Sequence, residues 1–202
     1  MLTVSVHIVT YNSEAYIQKC IQSVLQQTYP IQQIIVIDNQ SADRTLEAAS
    51  QFDQIQLIAN EENVGFAEGH NQAIALSKSD YCLVLNPDVV LSPEYVERLV
   101  AFAERHPDAG GLTGKLVSAA SSERIDSTGI AVKKSRRAID RGASEPAHAY
   151  DQSQEVFGVS GAAAFYSRKM IDDLMIDGEF FDEDFFAYKE DVDISWRGRL
   201  LG

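Results

Sequence analysis

Three groups of acidic side chains in this sequence could do chemistry, and the first is the Asn86-Pro87-Asp88 tripeptide. It interrupts an apolar run that begins at Tyr81. Because proline cannot donate a strand hydrogen bond, the predicted strand stops there, with Asn86 and Asp88 at its carboxyl end. A carboxylate in that place can bind a divalent cation that also holds a diphosphate. These residue types are also common turn formers, and the tripeptide taken alone favours a turn.

A second acid, Asp38, directly follows the predicted strand Ile34 to Ile37. In nucleotide-binding α/β folds, an acid at this position binds a ribose hydroxyl or a base N–H. Tyr11 lies at the turn between the first predicted strand and the first helix. Its ring can stack on a base or pack on the sheet edge, and the sequence leaves both open. Asp43 is placed to cap the helix that follows it.

The third group, Glu190 and Asp191, opens the last predicted helix after an acidic and aromatic segment. Acids in a first helical turn complement the helix dipole. One of them could equally act as a general base over a cleft. Phe185, Phe186 and Tyr188 would then form apolar walls that raise its pKa.

These residues need a frame of alternating strands and helices. Strands are predicted at Val4 to Thr10, Ile34 to Ile37, Gln54 to Ala59, Tyr81 to Leu85, Ala109 to Val117 and Val156 to Ser167. The segments between them carry apolar residues at helical spacing. The Tyr81 strand is apolar without alternation, which is typical of a strand covered on both faces. The pattern predicts an α/β fold with a mostly parallel central sheet and helices on both faces, and ligands at the carboxyl ends of the strands.

Composition narrows the classes of function. The 202 residues, 45% of them hydrophobic, suffice for one α/β domain. A formal net charge of -13 excludes a nucleic-acid backbone as partner. A small anion can still bind if a cation or backbone N–H groups separate it from the carboxylates. His7 and the two cysteines, Cys20 and Cys82, lie in apolar patterns and are predicted to be core residues in a reducing compartment.

The sequence indicates a cytoplasmic protein, since no apolar run approaches a membrane span and no signal-peptide layout precedes the first strand. One basic cluster, Lys133 to Arg137, lies in the polar segment 118–154. It could contact a phosphorylated acceptor or a membrane surface, although a solvated loop is the favoured interpretation. The sequence Gly110 to Lys115 resembles a phosphate loop but is one residue short and lacks the hydroxyl residue.

The order of these pieces resembles glycosyltransferase family 2, the inverting nucleotide-sugar enzymes with a GT-A (Rossmann-like) fold, from about Leu2 to Gly202. The matching stretches are Thr10-Tyr11-Asn12; Ile37-Asp38-Asn39 with Ser41, Asp43 and Thr45; Asn63, Gly65, Phe66, Gly69 and Asn71; Asn86-Pro87-Asp88 at the family's D-x-D metal motif; Gly161-Ala162; and Phe186, Tyr188, Glu190, Asp191 and Asp193. The Asn-Pro-Asp variant is similar to the rhamnosyltransferase-like branch of surface-polysaccharide biosynthesis.

The resemblance implies a role for each matching position. Thr10, Tyr11, Asn12 and Asp38 would bind the base and ribose of a UDP- or dTDP-sugar. Asn63, Gly65, His70, Asn71 and Asn86 would complete the donor site. Asp88 would bind Mg²⁺ or Mn²⁺, and Asp191 would take the proton of the acceptor hydroxyl, with Glu190 beside it. Two positions depart from the family: Asn86 replaces an acid, and His70 stands where many members carry arginine.

The resemblance also implies a domain organisation and partners. Residues 1–202 would form a single catalytic domain, with a nucleotide-binding half (1–117) and an acceptor and catalytic half (118–202). The family usually continues beyond the final helix, so the chain is expected to be a core truncated at its C-terminus. The acceptor would be a saccharide or lipid-linked saccharide, with peripheral association at the inner face of the membrane. The rival hypotheses are a sugar nucleotidyltransferase and a non-catalytic nucleotide-sugar-binding module.

Overall fold

A six-stranded sheet forms the centre of the molecule in the computed structural model, which describes residues 1–201. The strands of the chain are β1 (Val4–Thr10), β2 (Gln33–Asp38), β3 (Gln56–Ala59), β4 (Tyr81–Leu85), β5 (Gly111–Leu112), β6 (Leu116–Ser118), β7 (Ser121–Ser127), β8 (Ile130–Val132), β9 (Ala138–Asp140) and β10 (Ala163–Ser167). The sheet order is β3-β2-β1-β4-β10-β5. The first four strands of that order are mutually parallel, and β10 is antiparallel to both neighbours.

Helices cover both faces of this sheet. They are α1 (Ile17–Leu25), α2 (Thr45–Ala49), α3 (Gly65–Leu76), α4 (Tyr95–Arg105), α5 (Arg168–Leu174) and α6 (Glu190–Leu201). Buried side chains of α1, α2 and α4 pack on one face, and those of α3, α5 and α6 pack on the other. The predicted α/β architecture, a mostly parallel sheet between two helical layers, is therefore confirmed.

The pleat of β1 explains how one strand serves both layers. Val4, Val6 and Ile8 join the core beneath α1 and α4, whereas Val9 joins the core beneath α3. Because successive side chains of a strand point to opposite faces, the polar Ser5 and His7 lie on the α3 side with Val9. The chain leaves β1 toward β2 on one side and later places β4 on the other. The carboxyl ends of β1 and β4 thus flank a topological switch point, where open α/β sheets bind ligands.

The second half of the chain contributes to the same sheet. Its strand β10 pairs with β4 along Ala163 to Ser167. The polar segment 118–154, for which no strands were predicted, contributes to two hairpins, β6–β7 and β8–β9. The basic cluster Lys133 to Arg137 forms the exposed turn of the second hairpin, with Arg136 at a left-handed φ of 64°. Across residues 1–201, no helix combines the length and apolar character that crossing a membrane requires.

Candidate active site

The Asp88 turn and Asp191 both bond with the segment before β10, near the carboxyl end of β4. The Asn86 N–H donates to the Ala162 carbonyl at 2.9 Å, which joins the turn to the segment before β10. The neighbouring Gly161 N–H donates to the Asp191 carboxylate at 3.1 Å. Two hydrogen bonds through adjacent residues therefore connect two acids that are separated by about a hundred positions in the sequence.

Glu190 and Asp191 occupy the first turn of α6, as predicted. Glu190 is 6% exposed, and its Oε2 has no hydrogen-bond partner within residues 1–201. Burial raises the pKa of Glu190 to about 7, against the pull of its own backbone N–H, and the charge of Asp191 adds to the rise. Burial also raises the pKa of Asp191, although the Gly161 N–H opposes this shift. Carboxyl groups whose pKa values are raised by burial are candidates for proton transfer.

The prediction that three aromatic side chains form apolar walls around this acid pair is wrong. Phe185, Phe186 and Tyr188 are 36%, 50% and 84% exposed. The ring of Phe66 lies close instead: a Cβ atom added to Gly161 would lie 3.3 Å from Phe66 Cζ and 3.6 Å from Glu190 Oε1. Glu190 therefore packs against the Gly161 backbone, with the Phe66 ring of α3 close to the same position.

Asp38 is buried at the carboxyl end of β2, beside Thr10 of β1 in the sheet register. Its carboxylate accepts hydrogen bonds from the Ser41 N–H at 3.0 Å and the Ser41 hydroxyl at 2.6 Å. Ser41 Oγ in turn accepts from the Asn12 N–H at 2.9 Å. Asp38 thus fixes the two loops that follow β1 and β2.

Three further residues assigned to the base and ribose lie at this edge. Thr10 is buried, and its hydroxyl has no partner within residues 1–201. Tyr11 is 50% exposed beyond it, so its ring can still stack on a base. Asn12 has a φ of 49° and accepts the Ala42 N–H at its Oδ1. Asn63, on the loop before α3, is half-buried and accepts the Gly65 N–H at 3.0 Å.

The prediction that His70 belongs to the donor site is wrong. Its side chain is completely buried on the inner face of α3, with its ring 4.2 Å from that of Phe66 and 6.0 Å from that of Phe181. Burial, with a contribution from the charge of His7, holds the pKa of His70 well below its usual range. A buried, neutral imidazole can neither touch a diphosphate nor complement its charge.

Asn71 and Gly65 also differ from their predicted roles, because both face the acidic and aromatic segment. The Asn71 amide bonds with the backbone of Phe180 and Phe181 and with the Glu183 carboxylate. At Gly65, the space that a side chain would need is filled by Phe186. Gly158 likewise packs closely against another element, the Ser195 side chain of α6.

Asp88 and Asn86 fit a cation site whose other ligands would be phosphate oxygens and waters. Asp88 is exposed and Asn86 is half-buried at the switch point. Residues 1–201 contain no group of three or more His, Cys, Asp or Glu side chains that could hold a metal ion. Mg²⁺ commonly binds through one or two carboxylates, with substrate phosphates and waters as its other ligands. A single carboxylate next to a diphosphate site therefore suffices for this class of cation.

Two supports of the site escaped prediction. Asn39 is buried and donates to the Gly65 carbonyl at 2.8 Å, so it joins the β2 loop to α3. Ser23 of α1 accepts the Leu91 N–H at 3.1 Å and thereby holds the segment after Asp88. Ser23 is a polar residue among the buried positions of α1. A polar residue at an apolar position of the helix pattern is the signal from which its role could have been inferred.

An open α/β sheet with acids gathered at a topological switch point is the architecture of nucleotide-binding enzymes. The family model described as "Glycosyl transferase family 2" matches residues 5–175, and the chain belongs to this family. An uncharacterized glycosyltransferase of Haemophilus influenzae is 35% identical over 107 residues, which are 51% of this chain and 33% of that protein. A glucosyl-dolichyl phosphate glucuronosyltransferase of Haloferax volcanii is 31% identical over 121 residues, 57% of this chain and 39% of that protein.

Solved structures of GT-A glycosyltransferases share the fold. TarS of S. aureus in complex with UDP has a TM-score of 0.70 at 19% identity, covering 98% of this chain and 55% of that one. The mannosyltransferase PcManGT of Pyrobaculum calidifontis, in complex with GDP-Man and Mn²⁺, also has a TM-score of 0.70, at 17% identity over 100% of this chain and 53% of that one. The chain therefore spans about a third of the curated relatives and about half of these solved chains.

Proposed function

We propose that this chain forms the donor site and the proton-accepting site of an inverting sugar transferase that uses a nucleoside-diphosphate sugar. The observation that supports this most is the pair of hydrogen bonds that brings the Asp88 turn and Asp191 together across Ala162 and Gly161. One acid can then face the leaving diphosphate while the other faces the incoming hydroxyl.

The reaction is a single displacement at the anomeric carbon of the donor sugar. The acceptor hydroxyl oxygen forms a bond to this carbon, and the bond from the carbon to the diphosphate oxygen breaks. Asp191 takes the hydroxyl proton, a contribution of about 10²- to 10⁴-fold. Asp88 would hold a divalent cation, which when bound would supply neutralisation of the charge on the departing diphosphate. Attack opposite the leaving group inverts the configuration.

The donor lies along the carboxyl ends of β1, β2 and β4. Asp38 and the loop it fixes bind the ribose and base, with Tyr11 stacking on the base. Asn12, Asn63 and Asn86 line the same edge, and the buried Thr10 hydroxyl, which has no partner within residues 1–201, is available to a ligand. Related structures hold UDP, UDP-GlcNAc and GDP-Man, which differ in their base. We expect the residues at this edge of the sheet to select the base of the donor.

The acceptor is a saccharide or lipid-linked saccharide of cell-surface polysaccharide biosynthesis. Two relatives support this class: the glucosyl-dolichyl phosphate glucuronosyltransferase, and a putative teichuronic acid biosynthesis glycosyltransferase of Bacillus subtilis that is 28% identical over 127 residues. The rhamnosyltransferase-like character of Asn86-Pro87-Asp88 makes a deoxyhexose donor a specific candidate. A cytoplasmic site beside the membrane fits such an acceptor.

The test combines nucleotide binding with transfer. We expect UDP, dTDP or GDP with Mn²⁺ to raise the melting temperature of the protein, since ligand bound only by the folded state stabilises it. Asp88→Ala should remove the Mn²⁺-dependent part of that shift. Asp191→Asn should keep the shift but lower transfer at least ~10²-fold. Asp173→Asn, an exposed acid on α5, is the matched control. Retained transfer by Asp191→Asn, or a Mn²⁺ effect that survives Asp88→Ala, would contradict these assignments.

A further inference from the structure

The acidic and aromatic segment that leads into Glu190 and Asp191 is attached to α3 at two levels. The first attachment is Asn71. Its Oδ1 accepts the N–H groups of Phe180 at 3.2 Å and Phe181 at 3.0 Å. Its Nδ2 donates to the Phe181 carbonyl at 2.7 Å and to Glu183 Oε1 at 3.0 Å. A side-chain amide has two donors and about two acceptor positions, so this segment occupies all of them.

The second attachment is the N-terminus of α3. The Phe186 carbonyl accepts the N–H groups of Phe66 at 2.6 Å and Ala67 at 3.2 Å. Free N–H groups at such a helix end are the usual place for an anion. Here a backbone carbonyl of the same chain takes two of them. The attachment depends on Gly65, whose φ is +87° and whose added Cβ would lie 2.5 Å from the Phe186 carbonyl oxygen.

The backbone between this attachment and the acids is strained. Phe186, Tyr188 and Lys189 have φ values of 55°, 70° and 80°, a left-handed conformation that side chains disfavour. Such residues persist only where their surroundings determine the conformation. The surroundings here are the N-terminus of α3 on one side and the first turn of α6 on the other, since the Asp193 N–H donates to the Lys189 carbonyl at 2.9 Å.

From these contacts we propose that Asn71 and Gly65 are positioning residues, which hold the segment 180–189 on α3 and so fix Glu190 and Asp191 over Gly161. The contacts themselves do not depend on the reaction, whereas their effect on transfer rests on the proposed function. Without Asn71, the segment can leave α3, water reaches Glu190, and Asp191 loses its fixed distance from the acceptor hydroxyl. Donor binding is unaffected, because Asn71 bonds with none of the residues proposed to bind the base and ribose.

The first test replaces Asn71 with alanine. Hydrogen exchange of the amides in 180–189 should rise at least tenfold, while exchange in the strands of the sheet stays unchanged. The Glu190 carboxyl, followed by carbon NMR, should titrate below its wild-type midpoint because it is solvated. The matched control is Gln72→Ala, the next residue of α3, whose amide bonds with Asn60 and Glu68 instead. Unchanged exchange in 180–189, or an unchanged Glu190 titration, would overturn the proposal.

A paired substitution separates positioning from lost stability. Asn71→Asp keeps the acceptor for Phe180 and Phe181 but places a carboxylate against Glu183. Adding Glu183→Gln restores a donor and an acceptor across the same contact. We expect the single variant to show fast exchange in 180–189, a lowered Glu190 titration and a lowered kcat with little change in donor KM. The double variant should recover a large part of all three but fall short of wild type, because the Phe181 carbonyl lacks the Asn71 Nδ2 donor in both variants. A raised donor KM at unchanged kcat would make Asn71 a donor ligand and would refute its positioning role.

A glycine pair tests the second attachment. Gly65→Ala and Gly178→Ala each place a side chain at a left-handed φ, +87° and +95°, but no atom lies within 4 Å of the added Cβ at Gly178. Both variants carry the backbone strain. Only Gly65→Ala should speed the hydrogen exchange of the amides in 185–189 and lower the midpoint of the Glu190 titration. Equal effects of the two variants would overturn the role of Gly65. If the wild-type chain shows no transfer, the proposed function fails, and exchange and titration still decide this inference.

Discussion

Glu190 shows how burial sets the chemistry of a single residue. Its side chain is nearly inaccessible, and one of its oxygens has no partner within residues 1–201. In the unfolded chain its carboxyl would have the ordinary pKa of 4.5, whereas the folded protein raises the pKa to about 7. Between these values the folded state holds a proton that the unfolded state has lost. Stability therefore falls as the pH rises from 4.5 to 7, by about 1.4 kcal/mol per pH unit.

Glu190→Gln should accordingly stabilise the protein above neutral pH. We expect its free energy of unfolding in urea to exceed that of the wild type at pH 8 and to approach it as the pH falls below 4.5, where the wild-type carboxyl becomes protonated in both states. Glu104→Gln, an exposed acid on α4, should show no such dependence on pH. A variant less stable than wild type at pH 8 would mean that the Glu190 carboxylate is stabilised in the folded state, and that its raised pKa is wrong.

At the scale of elements, the sequence predicts what periodicity and chain breakers encode. Apolar runs predict the strands β1, β2 and β4, and Pro87 predicts the end of β4. The acids at 190 and 191 predict the start of the helix α6. The first turn of α6 and the two core cysteines are confirmed. The polar hairpins between Leu116 and Asp140 were missed, because their strands are short and half-exposed and carry little alternation.

The candidate site was predictable where a residue's position in a strand decides its environment, and not where the fold brings distant segments together. Asp38 and Asp88 follow strands, so their common edge could be inferred. Asn71 was assigned to the donor through the family resemblance, and its actual partners, Phe180 and Phe181, could not be inferred because they are more than a hundred residues away in the sequence. His70 was assigned in the same way, although its side chain lies on the buried face of α3.

The helix α1 supports the Asp88 turn, and one buried hydroxyl carries much of this support. Ser23 Oγ accepts the Leu91 N–H and donates to the Cys20 carbonyl at 2.7 Å. Ser23→Ala leaves the Leu91 N–H buried without a partner, which costs about 1–3 kcal/mol. We expect a lower urea midpoint together with weaker Mn²⁺-dependent binding of UDP, because the Asp88 turn loses its anchor.

The control for Ser23 is Ser50→Ala, which removes an exposed hydroxyl that donates to the Glu47 carbonyl. It should change stability by less than about 0.5 kcal/mol. If Ser23→Ala destabilises the fold without weakening Mn²⁺-dependent binding, α1 supports the core but does not position Asp88.

At the scale of the whole molecule, two buried histidines and the excess of carboxylates change the stability in opposite directions as the pH falls. With a net charge of -13, mild acid neutralises carboxylates and should relieve their mutual repulsion. His7 and His70 act in the other direction. Burial lowers the pKa of His7 to about 3, with a further contribution from Arg168. Below pH 6.5 the unfolded chain binds protons at these sites that the folded chain refuses, so their contribution to stability is complete above pH 6.5 and is lost as the pH falls.

His70→Leu distinguishes the two effects. His70 has neither ring nitrogen paired within residues 1–201, so leucine removes a desolvated polar group at similar volume. We expect the variant to lose less stability than the wild type between pH 7 and pH 5, since one buried histidine sets a slope of at most about 1.4 kcal/mol per pH unit. His148→Leu, an exposed histidine, should keep the wild-type slope in urea unfolding at both pH values. If His70→Leu keeps that slope as well, carboxylates govern the acid response of the molecule, and the imidazole of His70 accepts a proton inside the fold.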